Sequence, residues 1–136
     1  MARRATLEFW YEFASTYSYL SAMRIERLAE AAGVELRWRP FLLGPIFATQ
    51  GWTNSPFNLY PAKGRNMWRD LDREAARLGL PPVTRPTPFP QNSLSAARVA
   101  TYGVDQGWLV PFSKAVFETS FARGGSIAEP AAVGRI

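Results

Sequence analysis

The sequence predicts an α/β fold built from one βαβ unit followed by a run of helices. Three observations carry this. Apolar residues alternate at both ends of the first forty positions, a helical period separates them, and nothing between residues 44 and 136 alternates convincingly. Two parallel strands joined by one helix need a crossover of this length, and such connections are right-handed.

In the first strand, Thr6 to Phe13, Leu7, Phe9, Tyr11 and Phe13 fall on one face and Glu8, Trp10 and Glu12 on the other. The stretch "FASTYSYLS", Phe13 to Ser21, then gives way to a helix. Its apolar positions are Tyr17, Leu20, Met23 or Arg24, Leu28 and Ala31, and Gly33 stands as its C-terminal cap. This predicts one helix of about four turns. Val34, Leu36 and Trp38 alternate with Glu35, Arg37 and Arg39 in a second strand, which ends at Pro40.

Residues 40 to 64 read mostly as loop, with one short helical turn in "FLLGPIFA". Met67, Trp68, Leu71, Ala75 and Leu78 mark a long amphipathic helix that stops at Gly79. Five prolines between Pro81 and Pro90 predict an extended loop, after which Asn92 or Ser93 caps a third helix through Ala97 and Ala100. A fourth helix runs from about Pro111 to Ala122 and carries Phe112, Val116, Phe117 and Phe121. Ser126 and Glu129 have capping-box spacing ahead of Pro130, so a fifth begins near the chain end. Two parallel strands alone make a poor sheet, which predicts further strands after Ile136 or from another chain.

Composition narrows the chemistry. The chain of 136 residues is 47% hydrophobic, enough for one domain with a real core. It has no cysteine and no histidine. Disulfides, thiolate nucleophiles, imidazole bases and nearly all zinc or copper sites are thereby excluded, and no metal site is expected. The net charge is +5, but Arg3, Arg4, Arg37, Arg39, Arg65, Arg69, Arg73 and Arg77 lie in different elements, several near acids at helical spacing. That pattern suits a solvated surface better than a nucleic-acid interface. Glu8 and Glu12 interrupt any signal-like apolar segment, and no window is long and apolar enough to span a membrane. A soluble cytoplasmic protein is the expectation.

The strand-to-helix junction is the candidate site. Backbone N–H groups at a helix start near Thr16 point back toward the carboxyl end of the first strand, where α/β folds place ligands. Ser15 and Thr16 stand there. Their hydroxyls either cap the helix or point outward and donate to a bound thiolate, lowering its pKa. With no cysteine in the chain, such a thiol has to come from a cofactor. A serine nucleophile is disfavoured because no histidine exists to deprotonate it.

The segments "FWYEFASTYSYLSAMRIERLAEAAGVELRWRPFLLG", "SPFNLYPAKGRNMWRDLDREA" and "FPQNSLSAARVA", in this order, resemble the 2-hydroxychromene-2-carboxylate isomerase family. That family is related to kappa-class glutathione transferases and to the DsbA-type thioredoxin fold. The likeness runs from Leu7 to about Val133. It implies that residues 1–43 form the N-terminal βαβ part of a thioredoxin-like domain and residues 44–136 a helical insertion domain. It also implies that the chain is truncated, because family members continue into further strands, a last helix and a cis-proline loop. By resemblance, Ser15 occupies the position of the glutathione-activating serine, where DsbA proteins keep a cysteine.

The resemblance further implies that Tyr17, Asn54 and Lys63 contact glutathione and that Trp52, Phe89 and Asn92 face an aromatic ketoacid substrate. On the residues alone, Tyr17 and Tyr19 are equally core packing, Lys63 is a solvated lysine, and Asn92 is a helix cap. Phe57 and Trp68 are further pocket candidates, and Arg39 or Arg85 could meet a substrate carboxylate. The implied activity is a glutathione-dependent isomerisation in aromatic catabolism by a homodimer, with Ser15 stabilising the thiolate. Two rivals stand beside it: a kappa-like glutathione transferase, and a basic binding module without catalysis, whose affinity would fall steeply with salt.

Overall fold

In the computed structural model, residues 4–136 are described; Arg3, part of the charge pattern above, lies outside them. Strand β1 (Thr6–Tyr11) pairs in parallel with β2 (Glu35–Pro40), Phe9 opposite Trp38 and Tyr11 opposite Pro40. Among the described residues the sheet has these two strands only. The alternation is legible in its burial: Phe9, Tyr11 and Trp38 face the core, while Trp10 on the other face is 56% exposed.

The single helix expected between the strands is two, α1 (Thr16–Ala22) and α2 (Ile25–Ala32). The cause is a phase change in the apolar stripe. Leu20, Ile25 and Ala29 face inward, and the step from Leu20 to Ile25 is five residues, so an unbroken helix would turn Arg24 toward the core. Instead Arg24 leaves the helical region at φ −127° and ψ −17°, and its N–H donates to the Ser21 carbonyl three residues back. Gly33 takes the left-handed conformation, φ 67°, that a side chain would strain.

The expected loop after Pro40 holds α3 (Leu43–Thr49) and α4 (Pro56–Leu59), and α5 (Pro61–Arg77) starts earlier than its apolar period suggests. Pro61 supplies the reason, since a missing N–H is harmless in a first helical turn. Gly64 lets α5 approach α4 closely, because a Cβ there would overlap the Phe57 carbonyl oxygen. Residues 81 to 92 form no helix or strand, and they are tied down where the Thr84 N–H donates to the Phe121 carbonyl at 2.7 Å. Helices α6 (Leu94–Tyr102), α7 (Leu109–Phe121) and α8 (Pro130–Val133) complete the chain. The capping box is not formed. Glu129 is itself the residue before α8, and Ser126 Oγ accepts from the Ala128 N–H instead.

One buried cluster joins the sheet (Phe9, Tyr11, Trp38) to α1 (Tyr19, Leu20), α5 (Met67, Leu71), α6 (Ala96, Ala100) and α7 (Val116, Phe117, Phe121). Of four ion pairs among the described residues, only Arg77–Glu74 has helical spacing. All four involve substantially exposed side chains, so their contribution to stability is small.

Two buried tyrosines make the fold sensitive to alkali. Burial pushes the Tyr11 phenol up to about 12, opposed by its hydrogen bond with Ser113. Burial also raises Tyr19, with a smaller contribution from the Glu118 charge. A raised phenol pKa means the folded state favours the neutral form. The associated stability is therefore complete below about pH 10, the unfolded value, and is lost as pH rises through about 12. The urea midpoint is expected to fall across that window, and Tyr11→Phe should blunt the fall.

Candidate functional site

Strand β1 ends at Tyr11, and the next four residues turn sharply into α1. A closed set of hydrogen bonds shapes the turn. The Ser15 N–H donates to the Glu12 carbonyl at 3.0 Å, the Ser18 N–H donates to Ser15 Oγ at 3.2 Å, and the Glu12 N–H donates to Ser18 Oγ at 3.2 Å. Ser15 is thus the N-cap of α1, the role its position suggests from spacing alone. The cap uses only the oxygen as acceptor. The hydroxyl proton remains available to an acceptor in the cavity that Ser15 also lines. Because α1 has seven residues rather than four turns, the helix field behind Ser15 comes from about two turns.

That cavity has a volume of about 500 Å³. One wall is the junction Glu12, Ala14, Ser15 and Thr16; another is α3 with the following loop, where Phe47 stacks on Trp52 at 5.5 Å between ring centroids. Thr53, Asn54, Ser55 and Phe57 continue that side, and Phe89 to Leu94 close the cavity. The size and the mixture of aromatic walls with a few polar groups match a small-molecule site.

Ser15, Trp52, Asn54, Phe89 and Asn92 therefore line one cavity, with Thr53 and Phe57 beside them. Asn54 Oδ1 accepts from the Ser55 N–H at 2.7 Å and from Asn58 Nδ2 at 3.0 Å, which holds the loop. Asn92 Oδ1 accepts from the Leu94 N–H at 3.1 Å, the capping role, while its residue also borders the cavity.

Other candidates lie elsewhere. Tyr17 does not line the cavity; its hydroxyl donates to Asp70 Oδ2 at 2.8 Å across the α1–α5 contact. Desolvation first, and then Asp70, push its phenol up to about 12. Tyr19 is fully buried in the core. Lys63 is exposed in the first turn of α5, outside the lining. Trp68 packs edge-on against Phe89 with Arg85 over its ring at 4.9 Å, and Arg39 pairs with Glu8. No Lys or Arg is among the lining residues.

Glu12 is the residue that pattern reading missed. Strand alternation placed it on the solvent face, yet it is 4% exposed, because β1 ends at Tyr11 and the chain turns there. Its Oε1 accepts from the Ala14 N–H at 3.1 Å and from the Ser93 hydroxyl, and its Oε2 from the Leu43 N–H at 2.9 Å. One carboxylate thus ties together the junction, α3 and the start of α6. The signal available in the sequence was its place directly before the turn.

A parallel strand pair with helices, and a cavity at the carboxyl end of β1 beside a helix start, define a thioredoxin-like site. Residues 6–136 match the DSBA-like thioredoxin domain family, and the chain belongs to it. It is 28% identical over 101 residues to a 2-hydroxychromene-2-carboxylate isomerase of Sphingobium xenophagum, covering 74% of this chain and 51% of that protein. Its fold is similar to a solved selenomethionine 2-hydroxychromene-2-carboxylate isomerase, with a TM-score of 0.79 at 22% identity. That match covers 96% of this chain and 64% of the solved one. The chain thus spans about half the length of the curated relative and under two thirds of the solved one. Among the described residues no helix is long and apolar enough to cross a membrane.

Proposed function

We propose that the chain carries the serine and the aromatic pocket of a glutathione-dependent isomerase acting on an aromatic ketoacid of the 2-hydroxychromene-2-carboxylate type. The observation that carries the reading is Ser15, which caps α1 with its oxygen and keeps a hydroxyl proton at the wall of an aromatic cavity. The names of the two relatives supply the substrate class.

Glutathione fits this donor set at its thiol end. The Ser15 hydroxyl would hold the sulfur, and the Asn54 and Thr53 side would take the peptide part. When bound, glutathione would supply a thiolate nucleophile. The chain's own residues hold that charge at Ser15, keep the ring between Trp52 and Phe89, and exclude water from the apolar walls. Lys63 reaches a carboxylate of glutathione only if that group extends beyond the cavity lining.

Calorimetric titration with glutathione tests this. Binding is expected, with the bound thiol titrating near neutrality by its ultraviolet absorbance. A chain that binds no glutathione sinks the reading. One observation favours a second function, a kappa-like transferase: with no cation lining the cavity, an uncharged electrophile is accommodated more easily than a ketoacid. Product analysis separates the two, since the isomerase returns glutathione free and the transferase consumes it.

A further inference from the structure

Glu12 is the single charged side chain among the residues that line the cavity. It takes part in none of the four ion pairs among the described residues, so no cation neutralises it. A buried carboxylate is costly unless its lone pairs are filled. A carboxylate offers about four such sites. Ala14 and Ser93 fill both on Oε1, and Leu43 fills one on Oε2. A clamp between three wall segments uses three acceptor sites and needs no face on the cavity. Glu12 has a fourth site, on Oε2, and borders the space between Ser15, Leu43 and Ser93.

We infer that Glu12 is a specificity-determining residue of this cavity, whose Oε2 accepts a hydrogen bond from a hydroxyl carried by an aromatic ligand. The choice of an aromatic acid as ligand rests on the isomerase reading; the hydroxyl rests on Glu12 itself. The compound in the relatives' names is a cyclic hemiketal with hydroxyl and carboxylate on one carbon, and its ring-opened ketoacid carries a phenol hydroxyl at the end remote from the carboxylate. Because like charges repel strongly where no cation intervenes, the hydroxyl end goes in against Glu12 and the carboxylate stays toward the open side. Ser15 and Glu12 then divide the cavity, one donating to an anion and the other accepting from a neutral donor.

The test is calorimetric titration of the wild-type chain with 2-hydroxycinnamate and with 2-methylcinnamate, in which a methyl group replaces the hydroxyl at similar volume. The hydroxyl compound is expected to bind about tenfold or more tightly, as for a hydrogen bond to a charged group. Glu12→Gln removes the negative charge, so whichever way the amide sits the bond to the ligand hydroxyl loses its charge assistance, and the preference should shrink to about twofold. Equal wild-type affinities, no binding of either compound, or a preference undiminished in Glu12→Gln would overturn the inference. If Glu12→Gln does not fold, Ser93→Ala serves in its place. That change frees a second acceptor site on Oε1, so the preference should persist or grow, and its loss overturns the inference equally. Turnover is a separate readout: a wild-type chain that keeps the hydroxyl preference but isomerises no ketoacid removes the isomerase reading and leaves Glu12 in place.

Discussion

Phe117→Ala is expected to lower the free energy of unfolding by about 3–5 kcal/mol, the range for removing a buried phenylalanine ring. Phe117 is fully buried where the sheet, α1 and α7 converge. Its ring centroid lies 5.2 Å from Phe13, 6.0 Å from Tyr11 and 6.3 Å from Tyr19. These neighbours cannot easily close the gap. Tyr11 is held by its hydrogen bond with Ser113 at 2.7 Å, and Tyr19 stacks on Phe121 at 5.4 Å. Small domains carry about 5–15 kcal/mol in total, so the variant should sit close to the threshold of folding. Urea denaturation followed by circular dichroism measures the loss. A loss below about 1.5 kcal/mol would mean that the aromatic cluster collapses around the cavity, contrary to the packing described.

Phe117 also marks what a sequence reveals and what it conceals. Its place on a buried helix face was legible from apolar spacing, as were both strands, because short-range periodicity encodes which face is apolar. The break between α1 and α2 was less accessible. It depends on which of two candidate positions, Met23 or Arg24, the core accepts, and tertiary packing decides that. Helix α3 was legible only as one short turn and α4 not at all, because neither buries a residue fully, so they leave no apolar stripe. In the site, position alone led to Ser15 and Thr16 together, while the choice of Ser15 and the candidates Trp52, Asn54, Phe89 and Asn92 came from family resemblance, and all of these line one cavity. Tyr17 does not, for a reason of geometry. Ser15 is the extended N-cap while Tyr17 already lies in the helix, and Tyr17 turns toward Asp70 as Ser15 faces the cavity. Glu12 was hidden by the opposite error, since strand alternation was extended two residues beyond the strand's end.

Under the proposed isomerase function, Ser15→Ala is expected to reduce turnover of 2-hydroxychromene-2-carboxylate about 10²–10³-fold, the usual loss when one donor to a developing anion is removed. The same change deletes the α1 cap, because the Ser18 N–H loses its acceptor. A cap of this kind is worth about 1 kcal/mol. The two roles predict different results. If Ser15 only caps, activity follows the folded fraction, and a loss of about 1 kcal/mol leaves nearly all molecules folded and nearly all activity intact. If it holds a thiolate, kcat/KM collapses while the urea midpoint moves slightly, and the pH at which activity rises shifts upward toward that of a free thiol. Ser15→Asn sharpens the distinction, since asparagine is as good a cap but places a bulkier amide at the cavity wall. It should restore the urea midpoint without restoring turnover. Full activity in Ser15→Ala, with stability lowered by about the value of a cap, would leave Ser15 as a structural residue and the cavity in need of another thiolate-binding group.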